Sequence, residues 1–459
     1  MEKCSIRNLL FNVNTCISIL IGILLLNTLP GRCQNWQPVG NGFDYDVRCL
    51  YSDSLNNILY AGGNFKYSGN LKARAIAQWN GTNWDSLQSG MDDFHSGNPN
   101  SVISICGYQN RIIVGGGFST AGGLSTPHLA IWDGTQWDSS ALVVNGPVDF
   151  LRQINGELYL GGVFDSVGGI HSSHIAKWDG VNCSGFNFGI DSSFGGVFSI
   201  VEVNGNLFVA GNILPAAIRD LFSWNGSAVS QVGNGIHGGL AFISSMAIFN
   251  NELYVAGNFQ VGNGNAGENI MRWDGVNLAP VGGGLNDYVD ALKVYNGYLY
   301  ASGIFDHAGG VPASRIARWD GISWSALGPE IFDNAIGCME FFNNELYVGG
   351  GFLHADNIAL NKIAKYTGPL TSVDFSKSEL SFTIYPSPVT SSIILYLSSP
   401  PNQDSYIAIT DLSGRKLMIE TILEKNARKE LNIDELTSGI YFLTLESETG
   451  KVTKKFIKQ

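Results

Sequence analysis

One pattern recurs seven times between residues 59 and 352, and it restricts the chain to folds assembled from repeated units. Apolar and aromatic steps that run into small residues and usually end in Phe occur as Leu59-Tyr60 to Phe65, Ile112-Ile113 to Phe118, Leu158-Tyr159 to Phe164, Leu207-Phe208 to Ile213, Leu253-Tyr254 to Phe259, Leu299-Tyr300 to Phe305 and Leu346-Tyr347 to Phe352. Successive copies lie 46 to 53 residues apart. Each is followed by an aromatic residue and a turn: Trp79-Asn80-Gly81, Trp132-Asp133-Gly134, Trp178-Asp179-Gly180, Trp224-Asn225-Gly226, Trp273-Asp274-Gly275, Trp319-Asp320-Gly321 and the degenerate Tyr366-Thr367-Gly368. Asn-Gly and Asp-Gly are strong two-residue hairpin signals, because both turn positions need positive φ. A strand is therefore expected to end at each aromatic and its antiparallel partner to begin just after, often with a second Trp as at Trp84, Trp137 and Trp324, and with Cys183 in that place in the third unit.

Read through once, a unit gives a strand over Val289 to Tyr295, a turn at Asn296-Gly297, a return over Leu299 to Phe305, a third strand over Arg315 to Trp319 and a fourth over Ser323 to Leu327. Four short strands repeated radially describe a β-propeller blade, and no capped helical period competes with that reading. The seventh unit stops after its third strand, at Tyr366, while the missing fourth strand stands at the other end as Trp36-Gln37-Pro38-Val39-Gly40. The expected fold is all-β: a seven-bladed β-propeller over residues 34–369, closed by an N-terminal strand that leaves no open edge between first and last blades. With a Gly-Gly pair ending one strand and a Tyr or Trp and a later Trp marking the next two, residues 36–366 resemble the kelch-type propellers. The resemblance implies architecture and leaves activity open, since this fold hosts oxidases, lyases, lectin-like binders and scaffolds.

Ahead of the repeats, Lys3 and Arg7 precede an apolar run from Ile17 to Leu29, and Gly31-Arg32-Cys33 offers small residues for cleavage before Gln34. Residues 1–33 are read as a signal peptide. No other stretch reaches membrane-spanning length, so an integral membrane protein is not expected. Cys49, Cys106, Cys183 and Cys338 remain, scattered without C-x-x-C spacing, and suggest neither a zinc site nor a disulfide framework. Residues 34–370 carry 14 basic and 27 acidic side chains, a net −13 that repels phosphate backbones and argues against a nucleic-acid partner.

After Pro369 the repeat signatures stop and Lys becomes frequent. A linker over 370–379 leads into residues 380–459, whose period-two alternation and Gly turns predict a small antiparallel β-sandwich. Tyr385-Pro386-Ser387-Pro388-Val389, Asp411-Leu412-Ser413-Gly414-Arg415, Gly439-Ile440-Tyr441 and the basic end around Lys455 follow one another as in the C-terminal sorting domain of the type IX secretion system, which this segment resembles; Ser387 stands where that family usually has Asn. The resemblance implies the type IX secretion machinery as a partner, and a destination outside the cell or on its outer surface.

Motifs for chemistry are sparse. Gly262 to Gly267 matches G-x-G-x-x-G, but a strand rather than a helix is expected to follow, so the phosphate site that motif needs is lacking. No H-E-x-x-H, no G-x-S-x-G and no metal-spaced carboxylate cluster occurs, and nothing calls for a catalytic assignment, a metal or a cofactor. All seven histidines fall on the face that carries the second-to-third-strand loops and the connections between blades. That face, with Asp92, Phe94, His95, His171, His237, Tyr288, His307 and His354, is the candidate ligand-binding surface, because loops on a rigid scaffold are where binding residues concentrate. The ordinary alternative is that His simply avoids strands. Two functions follow as expectations: binding of an extracellular glycan or protein, or a polysaccharide-directed hydrolase or lyase on the same face.

Overall fold

The computed structural model describes residues 35–92, 101–138, 142–172, 174–186, 195–213, 220–238, 241–368, 370, 382–385, 389–397, 405–411, 415–422, 428–447 and 450–459. The signal-peptide reading over residues 1–33 therefore lies outside the described residues. The chain divides into two compact units, one through Leu370 and one from Thr371. Among the described residues the helical structure is a single 3-10 turn, Val261–Asn263, and a strand, Ile270–Trp273, follows it.

Among the described residues the larger unit has seven four-stranded antiparallel sheets, six of them meanders. The first runs Val47–Asp53, Ile58–Gly63, Ile76–Trp79 and Trp84–Ser86. The first strands of the next six are Ser101–Tyr108, Val148–Ile154, Gly195–Val203, Phe242–Phe249, Val289–Tyr295 and Ile336–Phe342. The seventh sheet takes its fourth strand from the other end of the unit: Trp36–Pro38 pairs antiparallel with Ile363–Tyr366, placing Trp36 opposite Tyr366. Each first strand touches the first strand of the next sheet, and that of the seventh touches that of the first.

Two kinds of contact fasten sheet to sheet. In the fourth strands, an indole Nε1–H reaches back to a carbonyl of the preceding sheet: Trp84 to Val39 at 3.0 Å, Trp137 to Leu87 at 3.1 Å, Trp324 to Val281 at 3.3 Å and Trp36 to Leu327 at 3.3 Å. In the first strands, Ser104, Ser199 and Ser245 accept the amides of Leu151, Met246 and Leu292 of the following sheet at 2.8, 3.2 and 3.0 Å. Cys49 and Cys338 occupy the equivalent position in the first and seventh sheets, with their Sγ atoms 3.9 and 3.8 Å from the carbonyls of Val102 and Val47. All four cysteines of the described residues are free thiols, and burial pushes Cys49 up to about 12. They act as small, weakly donating packing residues.

The turns correct one expectation. In six of the seven sheets strands one and two are joined by two-residue turns of positive φ, as at Asn155-Gly156 and Asn296-Gly297, while in the first sheet Asp53 pairs with Ile58 across four residues. Between strands three and four, however, Trp79 pairs with Trp84 across four loop residues, and only Gly81 has positive φ. Asn80 Oδ1 accepts the amides of Thr82 and Asn83, both at 2.9 Å, and Asp133, Asp179, Asp274 and Asp320 repeat the arrangement. The Asp-Gly and Asn-Gly pairs are thus Asx turns, in which the side-chain oxygen satisfies two amides the loop would otherwise leave unpaired.

In the smaller unit, Phe382–Tyr385, Ser392–Leu397 and Arg428–Asn432 form one sheet. Lys416–Ile422, Ser405–Thr410, Gly439–Ser447 and Gly450–Lys458 form another in that order. A common apolar core includes Val389, Ile393, Ile409, Leu443 and Phe456. Tyr441 is buried, its hydroxyl donating to the Thr437 carbonyl at 2.8 Å; Gly439 opens its strand opposite Lys458, Arg415 and Lys455 are exposed, and Tyr385 ends the first strand. Pro386, Pro388 and Gly414 lie outside the described residues.

Trp36 is 1% exposed and packs on Phe332 and Tyr366 with ring centroids 5.1 and 4.9 Å away. Trp36→Ala should lower the stability of the larger unit by about 3–5 kcal/mol. Trp36→Phe, which keeps most of the packing and loses the bond to Leu327, should cost about 1 kcal/mol. Guanidinium denaturation of the full chain checks both, and equal effects would show that packing does not dominate at this strand.

A candidate ligand site at the bulged end of the first strands

Every first strand carries a β-bulge at the same place. The register slips between Val47 and Cys49, Val102 and Ser104, Val148 and Phe150, Val197 and Ser199, Ile243 and Ser245, Val289 and Ala291, and Ile336 and Cys338. The reason lies in the repeated glycines. A β-carbon added to Gly63, Gly116, Gly162, Gly211, Gly257, Gly303 or Gly350 would come within 1.9–2.2 Å of a carbonyl oxygen just ahead of the bulge, that of Asp46, Ser101, Pro147, Gly196, Phe242, Tyr288 or Ala335 respectively. Only a residue without a side chain lets the two backbones approach this closely. A bulge leaves one residue out of the ladder and re-aims its side chain.

The residues so released are Arg48, Ile103, Asp149, Phe198, Ser244, Asp290 and Gly337, each at least partly open while the residue before it is buried. Arg48, Asp149 and Asp290 come from the first, third and sixth sheets, yet Arg48 acts electrostatically on both carboxylates. Residues of non-neighbouring sheets thus share the space that the first strands surround. Burial raises Asp149 to about 6, with Arg48 pulling the other way. Burial raises Asp290 to about 7, opposed by a hydrogen bond from Tyr288 and by Arg48. Ser244 donates to the Val289 carbonyl at 2.5 Å and stands within hydrogen-bond reach of the Tyr288 hydroxyl. Phe198, Phe242 and Tyr288 form an aromatic row over the fourth to sixth sheets, with centroid separations of 6.2 and 5.5 Å. Carboxylates with shifted titration, an arginine and aromatic faces are what a polar, ring-shaped ligand needs.

Of the residues singled out from sequence, Tyr288 lies in this cluster. Asp92, His171, His237, His307 and His354 occupy the ribbons and connections of the same face, with local partners. Asp92 pairs with Thr120 in a short ribbon and makes an ion pair with Arg74. His307 Nδ1 is 2.6 Å from Asp306, and His354 Nδ1 is 3.3 Å from Asp333. His171 is exposed at the end of its ribbon, and the backbone of His237 is held by the Asn265 side chain at 2.8 and 2.7 Å. Phe94 and His95 lie outside the described residues. His128 and His174 occupy a backbone position, just before the third strand, where φ is positive in all seven sheets, with Ala75, Asp220, Asn269, Arg315 and Lys362 in the others. Sequence reasoning missed Arg48, Asp149, Asp290, Phe198 and Phe242, although aligning the units on Gly162 and Gly303 places Asp149 and Asp290 in one column, and Arg48 joins them once the two extra turn residues of the first unit are allowed for.

Comparison with known proteins locates the export function. Residues 383–459 match the family model of the secretion system C-terminal sorting domain. The domain marks the chain for export by the type IX secretion system, to be secreted or attached to the outer surface. No curated protein matches the chain. Among solved structures, the computationally designed Ika8 protein aligns at 11% identity and a TM-score of 0.41, over 72% of this chain and 99% of its own. The GH74 enzyme of Niastella koreensis aligns at 10% identity and 0.42, over 92% and 74%. A protein of unknown function from Bacteroides thetaiotaomicron aligns at 11% identity and 0.34, over 71% and 70%. No helix among the described residues is long and apolar enough to cross a membrane.

Two outcomes test this site. Gly303→Ala forces the added methyl against the Tyr288 carbonyl and should cost about 1–3 kcal/mol in denaturant unfolding. Because Asp290 titrates near 7 when folded and at the ordinary 3.8 when unfolded, the folded state holds more protons between these values. Stability contributed by this group is complete below the lower value and is lost as pH rises through the upper one. Asp290→Asn should therefore gain stability relative to the parent on going from pH 4 to pH 7, seen as Tm against pH; parallel curves would contradict the assignment.

Proposed function

We propose that this chain is a signal-peptide-bearing, type IX-exported protein. In this reading residues 34–369 form a seven-bladed β-propeller of kelch-like repeats and residues 380–459 the sorting domain. The propeller binds an extracellular ligand, a glycan or a protein, at the mouth of its central channel. The observation that carries the reading is the bulged cluster: Asp149, Asp290 and Arg48 beside the aromatic row of Phe198, Phe242 and Tyr288. A sugar is the better match, since aromatic faces stack on its apolar side while carboxylates and guanidinium take its hydroxyls. Asp92, His171, His237, His307 and His354 make the outer rim of the same face, and Phe94 and His95 are counted among the proposed ligand-binding residues.

A glycan and polysaccharide array with the exported protein tests this. Tyr288→Ala and Phe242→Ala should each weaken the strongest signal by about tenfold, which corresponds to one lost stacking contact. His307→Ala and His354→Ala should have smaller effects. An array silent on every sugar would redirect the reading to a protein ligand.

A hydrolase or lyase is the second reading, favoured by two carboxylates that titrate at about 6 and about 7 around one opening. A carboxyl group still protonated near neutrality can serve as a general acid. If this reading holds, Asp290→Asn abolishes turnover of a polysaccharide that the parent protein cleaves. For export, removal of residues 383–459 should leave the chain inside the outer membrane, as cell fractionation and immunoblotting would show.

A further inference from the structure

The opposite ends of the first strands carry a second set of equivalent positions, three residues beyond each bulge. Long side chains occupy it in the first, third, sixth and seventh sheets, as Tyr51, Arg152, Lys293 and Glu340, each opposite a Tyr of the second strand. In the fourth and fifth sheets the position holds only Val201 and Ala247. Where the long side chains stop, a cavity of about 490 Å³ opens over the third to sixth sheets, within the size range of small-molecule sites.

Val201, Ala247 and Ile248 give this cavity an apolar stretch, and Arg152 and Lys293 stand on its lining. The two cations differ in their partners. Lys293 is neutralised by Glu340, with Nζ 2.7 Å from the carboxylate. Arg152 donates through Nη1 to the Ile200 carbonyl at 2.6 Å, which fixes the guanidinium, and among the described residues no carboxylate forms an ion pair with it. Glu202, also on the lining, accepts the Gly205 amide of its own hairpin. A held guanidinium with unused N–H groups beside an apolar wall is matched by a carboxylate attached to a carbon skeleton.

We propose that this cavity is a second binding site, distinct from the bulged end, which takes a small organic carboxylate with its charged group on Arg152 and its body over Val201 and Ala247. Two sources of that chemistry are sugar acids and short aliphatic acids. Isothermal titration of the full chain with glucuronate, hexanoate and neutral glucose separates them. At least one carboxylate should bind at millimolar concentration, and glucose should not. The stronger of the two names the source. Arg152→Gln should weaken that binding about tenfold or more, as expected for a lost charge-assisted bond. Ala247→Leu, which puts a larger side chain on the apolar stretch and leaves the charge in place, should weaken it about tenfold, and this variant decides the matter if Arg152→Gln does not fold. Wild-type protein that binds neither carboxylate, glucose that binds as well as glucuronate, or variants that bind like the parent would each overturn the proposal.

Discussion

The larger unit depends on a close approach between two backbones. In every sheet the second strand carries, at or near its end, a glycine whose missing side chain admits the carbonyl just ahead of the first-strand bulge. The bulge follows from that contact, and the released side chains follow from the bulge. The same glycines that identify the repeat in the sequence thus release Arg48, Asp149 and Asp290 from the ladders of their sheets. Architecture and candidate chemistry share a single steric cause.

That coupling explains what could be read from the chain beforehand. The period, the paired Trp residues and the stray Trp36 strand were legible because each rests on a local pattern: alternation, a turn or a missing fourth strand. The turn after Trp79 was misjudged because Asn80-Gly81 suits a two-residue hairpin as well as an Asx turn, and the choice depends on the amides of Thr82 and Asn83. The site was largely illegible. A period-two reading assigns Asp290 to an ordinary strand position, and only the slipped register between Val289 and Ala291 frees it. Histidines drew attention because they are chemically versatile, but His128 and His174 share a position set by backbone shape, and His307 and His354 hold local carboxylates.

The two ends of the first strands carry opposite chemistry. At the bulged end, two carboxylates and an arginine face an aromatic row. At the hairpin end, the spread runs from a Lys–Glu pair to an arginine held by a carbonyl. Neighbouring sheets differ at these two positions while their interiors stay nearly interchangeable. A repeat of this kind separates stability from recognition: the buried positions keep the sheets alike, and the two open positions are free to vary.

The pairing of Trp36 with Tyr366 also sets an order of events. Six sheets are built from residues close in sequence and can form as soon as those residues are together. The seventh joins the first described strand of the unit to its last, so the largest loop in the unit must close before it exists. The sheet therefore stays unfinished until residues from both ends of the unit are brought together. Until then the third strand of that sheet, Ile363–Tyr366, presents an unpaired edge. Pairing with Trp36–Pro38 covers that edge, so the last sheet is complete only when residues from both ends of the unit are together.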